Sequence, residues 1–411
     1  MDSHIVIVGA GQAGLQAAET LRTGKFEGRI TLLGDEPYGP YHRPPLSKAW
    51  LAGTLDAEQL TMRAAAVLAR KEIDLRVGAK VTEIDVAGQS VSLADGSRLS
   101  YSGLVLATGA TARTIPCTAR ASHAVQVLRS RDDATAVAAR LKQCAESKLP
   151  VLIIGGGFIG LEVAATARTL GLEVTILEAG PRLLGRVLAP ALSDWYAQLH
   201  LQHGATVELN AQVTGIEDAG HDHLEVHLAD GRAFPAGLVL VGIGVSPNDA
   251  LARAAGIECA SGIIVDACGR TSAPNVVAAG DCSIRRLDTG ALLRLESVQN
   301  AVEQGRAAAF TLLDQERPFA ATPWFWSDQY DKKLQIAGLS GSADSWTMRG
   351  DTRSGAFSVY HFQANRLIAV DSINSTKEHL LARRLLGSGT SPTPEQVAEP
   401  DFDLSTLISA A

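Results

Sequence analysis

Two short glycine runs carry the clearest chemical message in this sequence: Gly9-Ala10-Gly11-Gln12-Ala13-Gly14 and Gly155-Gly156-Gly157-Phe158-Ile159-Gly160. Each places glycine at its first, third and sixth positions. The first glycine permits a tight turn, and the second lets pyrophosphate oxygens come close to the backbone. The third lets a helix lie against a strand, so that the positive end of the helix dipole faces the phosphates. One such run is weak evidence. Two runs, each followed by an acidic residue about 20 positions later, are strong evidence for two bound dinucleotides. Asp35-Glu36 follow the first run and Glu178 the second. A carboxylate there accepts from an adenosine ribose hydroxyl and repels a 2′-phosphate, so Glu178 favours NADH over NADPH. Arg182 and Arg186, close behind, could soften that preference.

The flanking elements must position these turns. The strand-like His4–Val8 leads into the first run, helix-like Leu15–Leu21 leaves it, and strand-like Arg29–Leu33 ends at Gly34-Asp35. The second copy reads Val151–Ile154, helix-like Leu161–Leu170, then strand-like Glu173–Leu177 before Glu178. This alternation is that of an α/β fold. A chain of 411 residues has room for two or three domains. Hydrophobic residues make up 46% and charged residues 20%, an ordinary globular composition, and a net charge of −7 excludes a generally basic nucleic-acid binder. No apolar run is long enough for a membrane span, and Met1-Asp2-Ser3-His4 runs directly into a strand without an export signal, so a cytoplasmic location is expected. Cys117, Cys144, Cys259, Cys268 and Cys282 are scattered. They form neither a disulfide framework nor a metal set, and each reads as a small apolar residue.

Thr271-Ser272-Ala273-Pro274-Asn275-Val276-Val277-Ala278-Ala279-Gly280-Asp281 resembles the second FAD fingerprint of the glutathione-reductase-like flavoproteins. The resemblance implies that FAD occupies the first nucleotide unit and that Asp281 meets its ribityl chain. Leu104–Gly109 and Leu238–Gly244 resemble that fold's two crossover strands. The implied fold class is α/β, with two Rossmann-type domains and an α+β C-terminal domain. The FAD domain would span 1–113 and 247–321, split by an NAD domain at 114–246, with a C-terminal interface domain at 322–411. Disulfide reductases of this fold need a cysteine pair beside the flavin. The matching segment, Pro40-Tyr41-His42-Arg43-Pro44-Pro45-Leu46-Ser47-Lys48, has none. Electrons must then leave the flavin directly for an outside acceptor.

That segment, with Gly157–Ala164, Glu296–Ala301 and Pro323–Tyr330, closely resembles the NADH-dependent ferredoxin reductases of bacterial oxygenase systems, over essentially the whole chain. The family implies that Lys48 lies beside the flavin, paired with Glu162, where the two help position the nicotinamide. It implies FAD contacts at Gly9, Gly11, Ala13, Gly14, Asp35, Glu36, Arg43, Lys48, Val81, Ala107, Thr108, Gly109, Arg129, Asp281 and Val298. NAD contacts are implied at Gly155, Gly157, Phe158, Ile159, Gly160, Glu162, Glu178 and Gly244. Trp326 resembles a tryptophan near the flavin edge where an iron–sulfur partner docks, and Trp324 stands beside it. The usual partner, a [2Fe–2S] ferredoxin, is acidic, which calls for a local basic face. Arg285, Arg286, Arg294 and Arg306 are candidates for that rim. The implied reaction moves electrons from NADH through FAD, one at a time, to a ferredoxin serving a Rieske oxygenase or a cytochrome P450. A rubredoxin or other carrier reductase, and an NADH-sensing flavoprotein like apoptosis-inducing factor, remain as alternatives. In the C-terminal region Leu334–Ala337, Ala356–Phe362 and Arg366–Ile373 read as strands. A hairpin turn is expected at Asn365-Arg366 and a helix over Lys377–Leu386 ended by Gly387, with Gly387–Pro394 as a loop.

Overall fold

The structure, a computed structural model, describes residues 3–115, 122–220 and 223–409. Cys117 lies outside the described residues. The chain divides into two compact units, one of Met1–His42, Asp56–Thr111 and Val245–Ala321, the other of Arg43–Leu55, Ala112–Gly244 and Thr322–Ala411.

The first unit is built on a five-stranded parallel sheet in the order Val276–Ala278, Gly103–Leu106, His4–Val8, Arg29–Leu33, Ile73–Arg76. Every residue of His4–Val8 is buried, as a central parallel strand covered on both faces requires. The strand Val276–Ala278 comes from the third chain segment, so this sheet is completed only after the chain has passed through the second unit. Helices Gln12–Thr23 and Val298–Leu312 pack together over one face. Their approach depends on small residues. A Cβ at Gly305 would fall 2.6 Å from the Ala13 carbonyl oxygen. An antiparallel meander of Val81–Asp85, Ser90–Leu93 and Arg98–Ser100 contributes Val81, Ile84 and Val91 to a second core cluster.

The second unit repeats the plan. Its parallel sheet runs Thr206–Leu209, Val174–Glu178, Val151–Ile154, Leu238–Val241, Val125–Gln126. The Val174–Glu178 strand lies one residue later than expected, because Glu178 still pairs with Leu209. The C-terminal region forms a five-stranded antiparallel sheet ordered Trp324–Gln329, Lys332–Gly338, Arg366–Ile373, Ala356–Gln363, Ser345–Asp351. Helix Thr376–Ser388 covers it through Ala382 and Leu385. The fold class is thus α/β with two Rossmann-type sheets and an α+β C-terminal region.

Two local expectations are corrected. The hairpin turn is Ala364-Asn365, both left-handed (φ +48° and +60°), with Gln363 pairing Arg366. Alanine tolerates that conformation here because its N–H donates to Asp344 Oδ2 at 2.7 Å. The C-terminal helix runs through Gly387 and stops at Gly389, whose φ of +71° supplies the left-handed cap. The loop is correspondingly shorter, and Pro394 already opens the next helix, Pro394–Ala398. No helix among the described residues is long and apolar enough to cross a membrane. Cys144, Cys268 and Cys282 are buried and Cys259 half-buried, and all four are free thiols.

Candidate functional site

In the first unit, helix Gln12–Thr23 begins at Gly11, and no side chain among the described residues caps it. Its first internal bond is Leu15 N–H to the Gly11 carbonyl, 3.0 Å, which leaves the preceding amides as the orphan donors of a helix start. The three glycines do different work. At Gly9 (φ +112°) a Cβ would lie 2.0 Å from the Ala107 oxygen, and at Gly14 it would lie 1.9 Å from the Gly9 oxygen. A Cβ at Gly11 would meet none of the described residues beyond its chain neighbours within 4 Å. Two glycines therefore permit packing, and the third keeps space clear before unclaimed donors. That cradle fits a pyrophosphate.

Around it, Ala13 is buried and would meet a Cβ on Gly280 (φ +82°) at 3.0 Å, so the turn presenting Asp281 lies against the start of the first helix. The buried Gln304 holds that turn. Its Oε1 accepts from Gly280 N (2.8 Å), Ser283 Oγ (2.9 Å) and Asn300 Nδ2 (3.1 Å). Ser297 Oγ accepts from Asn300 N and caps the helix whose first residue is Val298. Thr108 and Asn248 exchange hydrogen bonds at 2.6 and 2.9 Å beside Gly109. Asp35 is exposed, while Glu36 Oε2 accepts from the Tyr41 hydroxyl at 2.6 Å. The Val81 side chain belongs to the core.

The second unit repeats the cradle. A Cβ at Gly155 (φ +105°) would lie 2.5 Å from the Gly242 oxygen, and one at Gly160 2.4 Å from the Gly155 oxygen. Gly157 again begins a helix, Phe158–Thr169, without a side-chain cap among the described residues, of which the nearest to a Cβ placed there is the Gly242 oxygen at 3.8 Å. Glu178 is fixed by backbone: Oε2 accepts from Gly156 N at 2.7 Å and Oε1 from Gly180 N at 2.6 Å. Each oxygen retains a lone pair for a ribose hydroxyl. Arg182 donates to the Leu188 and Gly185 carbonyls and to Ser193, so it is committed to its own loop. The exposed Arg186 lies by Gly244 (φ +101°), with Nη2 3.8 Å from a Cβ placed there. Phe158 packs on Phe325 at 4.6 Å, and Ile159 is exposed.

Glu162, two residues after Gly160, is 3% exposed. The Pro44–Ser47 turn, with proline at its start, delivers Ser47 and Lys48 to it. Lys48 Nζ lies 2.8 Å from Oε2, and Ser47 Oγ donates to the same oxygen at 2.5 Å. Ser327 Oγ, from the C-terminal sheet, donates to Oε1 at 2.8 Å. The family resemblance pairs Lys48 with Glu162, and no motif gives a part to Ser47, Ser327, Asn300 or Gln304. A hydroxyl or amide in a long-range contact leaves no periodic signal. Arg43 Nη1 donates to the Arg129 carbonyl at 2.6 Å, and Arg129 N donates to Asp133 Oδ2 at 3.0 Å.

The four arginines expected at a rim are all engaged. Arg285 donates to the Phe319 carbonyl at 2.8 Å and lies over its ring, and burial pulls its pKa down. Arg286 pairs with Glu258 at 2.6 Å, Arg294 with Glu296 at 2.7 Å, and Arg306 with Glu303 at 3.1 Å. Arg286 and Arg306 remain exposed. Trp324 and Trp326 lie 5.5 Å apart and are half-buried, with Arg383 over the Trp324 ring at 4.9 Å.

Residues 324–408 match the reductase C-terminal family. Rhodocoxin reductase of Rhodococcus erythropolis is 42% identical over 406 residues, covering 98% of this chain and 94% of its own length. The ferredoxin–NAD(+) reductase component of the biphenyl dioxygenase system of Paraburkholderia xenovorans is 39% identical, covering 100% and 99%. Among solved structures, the covalent putidaredoxin reductase–putidaredoxin complex superposes with a TM-score of 0.94 at 38% identity, over 100% of this chain and 99% of that one. Residues 3–305, which contain both glycine cradles, match the pyridine nucleotide-disulphide oxidoreductase model, and the chain belongs to that family.

Proposed function

We propose that this protein is an NADH-dependent, FAD-containing ferredoxin reductase, which draws electrons from NADH and delivers them singly to a [2Fe–2S] ferredoxin of an oxygenase system in the cytoplasm. The observation that carries this reading is the pair of open helix-start cradles at Gly11 and Gly157, joined to a Pro40–Lys48 segment without cysteine. The relatives above are reductases matched over 94% or more of their own length and named for rhodocoxin or for a dioxygenase system.

When bound, FAD converts a two-electron donor into one-electron deliveries. The chain's own residues supply position and electrostatics. Amides at the Gly11 cradle hold the flavin's pyrophosphate, with Gly9 and Gly14 permitting the close packing of turn and helix; Ala13, Ala107, Thr108, Gly109, Val81 and Val298 border FAD, and Asp281 meets its ribityl chain. Asp35 accepts from the adenosine ribose. The Gly157 cradle, with Gly155, Phe158, Ile159, Gly160 and Gly244, holds NADH. Glu178, already fixed by two backbone N–H groups, accepts from the 2′-hydroxyl and disfavours a 2′-phosphate. Lys48 and Glu162 orient the nicotinamide. Arg43 and Arg129 are proposed at the flavin, and Trp326, Arg285, Arg286, Arg294 and Arg306 at the ferredoxin face. Of these, exposed Arg286 and Arg306 are best placed to steer an acidic partner. Domains 1–113 with 247–321 for FAD, 114–246 for NAD and 322–411 for the interface complete the proposal.

The test is anaerobic rapid mixing of the flavin-loaded protein with NADH or NADPH, followed by oxidised [2Fe–2S] ferredoxin. Fast bleaching with NADH, slower bleaching with NADPH and rapid recovery on adding ferredoxin are expected. Bleaching that rubredoxin but not ferredoxin reverses would move the protein to another carrier. A long-lived reduced complex that no carrier reoxidises would make it a sensor.

A further inference from the structure

The carboxylate of Glu162 stands at the end of a longer polar thread. Ser327 Oγ lies 2.8 Å from Glu162 Oε1, and Gln329 Nε2 lies 3.3 Å from Ser327 Oγ. Gln329 Oε1 lies 2.9 Å from His200 Nε2, and His200 Nδ1 lies 3.1 Å from the Tyr330 hydroxyl. Ser327, Gln329 and His200 are fully buried at 0% exposure. Tyr330 is half-buried, at the turn after the Trp324–Gln329 strand, and the exposed His203 stacks on its ring at 3.7 Å. Strand alternation explains why Ser327 and Gln329 share a face, and helix Pro190–Gln202 supplies His200.

Donor and acceptor capacities give this thread one direction. A carboxylate only accepts, so Ser327 must spend its single proton on Glu162. The Ser327 oxygen then accepts from the Gln329 amide nitrogen, which turns the amide oxygen toward His200. His200 must therefore carry its proton on Nε2, and its bare Nδ1 accepts from the Tyr330 hydroxyl. Burial keeps this ring neutral by pushing its pKa down to about 4, as the arrangement requires. Every donor points toward Glu162. Ser47 and Lys48 meet the other carboxylate oxygen from the opposite chain segment.

We propose that Ser327, Gln329, His200 and Tyr330 are positioning residues, a single polarised donor chain that sets the plane of the Glu162 carboxylate and through it the place of the Lys48 ammonium. The C-terminal sheet thereby completes the nicotinamide site of the second unit. The functional part of this inference rests on the reading of Lys48 and Glu162 given above. The chain itself does not. Each link polarises the next, so a change at the surface end is felt at the buried end.

The test has two arms. In the flavin-loaded protein near neutral pH, ¹⁵N NMR of the histidine rings, with His200 assigned by its loss in His200→Gln, should show the Nε2–H tautomer alone. Tyr330→Phe should keep that tautomer, because the order is set from the carboxylate end, whereas Ser327→Ala should yield a mixture of tautomers. In rapid mixing, Ser327→Ala should lower the limiting rate of NADH-driven bleaching roughly tenfold, the scale of one hydrogen bond to a charged group. NADH affinity should change little, and Ser327→Thr should recover most of the rate. An Nδ1–H tautomer in the parent protein, or Ser327→Ala without effect on either readout, overturns the proposal. Should Ser327→Ala fail to fold, Gln329→Met carries both arms: a mixture of tautomers and slowed bleaching are expected, and the Nε2–H tautomer alone with an unchanged rate overturns the proposal. A parent protein that shows the expected tautomer but does not bleach with NADH would sink the assigned reaction and the nicotinamide role together, while the chain would stand on the tautomer results.

Discussion

Removing Lys48 should cost more stability than removing Glu162, and removing both should cost less than the sum. Glu162 is 4% exposed at its side chain, while the Lys48 side chain is 23% exposed. Breaking a fully buried pair by deleting one partner costs about 3–5 kcal/mol, because an uncompensated charge is left behind. Here Ser47 and Ser327 still donate to the stranded carboxylate, so Lys48→Met should cost about 2–3 kcal/mol. Glu162→Gln leaves an ammonium that can reach water and should cost about 1–2 kcal/mol. Independent effects would sum to about 4 kcal/mol. We expect the double variant to lose only about 2, a coupling of about 2 kcal/mol. The assay is urea unfolding of the four proteins at one saturating FAD concentration, since a ligand that binds the native state adds its own stabilisation. The cycle is read where the slopes m agree. Additivity within about 0.5 kcal/mol would refute the claim that this pair is a coupled buried unit.

The two kinds of glycine in each cradle should fail differently. Gly14→Ala forces a Cβ to 1.9 Å from a carbonyl oxygen and should destabilise the fold by about 1–3 kcal/mol, whereas Gly11→Ala should fold with a near-native unfolding midpoint yet retain little flavin after gel filtration. Buried histidines should make the protein acid-sensitive. His200 and His379 have pKa values lowered from 6.5 to about 4, so the unfolded chain binds protons below pH 6.5 while the native chain does not until about 4. Stability is therefore lost as pH falls through that window, by up to about 3 kcal/mol per histidine. Neither His379 ring nitrogen has a hydrogen-bond partner among the described residues, so His379→Leu should flatten the curve between pH 7 and 5 in denaturant titrations. Charge reversal at Arg306 should slow ferredoxin association at low salt and lose its effect at high salt, with NADH-driven bleaching unchanged, as salt-dependent stopped-flow would show.

The nucleotide units were legible in the sequence because their determinants are local: glycines whose roles follow from a turn and a helix start, and a carboxylate one strand later. The same locality explains the small errors. Gly387 and Gly389 are equally good helix stops on paper, and only the backbone reveals that Gly389 adopts the left-handed conformation. Ala364 is a poor turn residue until Asp344, twenty positions away, accepts its N–H. Ser47 and Ser327 meet Glu162 across separations of 115 and 165 residues, and nothing in a lone serine announces such a contact. Arginine was readable as positive charge. That Arg285 spends itself on Phe319, or that Arg182 is bound into its own loop, depends on packing no motif encodes.

Electron stoichiometry tests the central claim most directly. Under anaerobic conditions, limiting NADH is mixed with catalytic protein and excess oxidised [2Fe–2S] ferredoxin, and both absorbances are followed to completion. Two ferredoxins reduced for every NADH consumed is the result this account predicts. NADH consumption without ferredoxin reduction, or a purified chain that takes up no FAD, would contradict it.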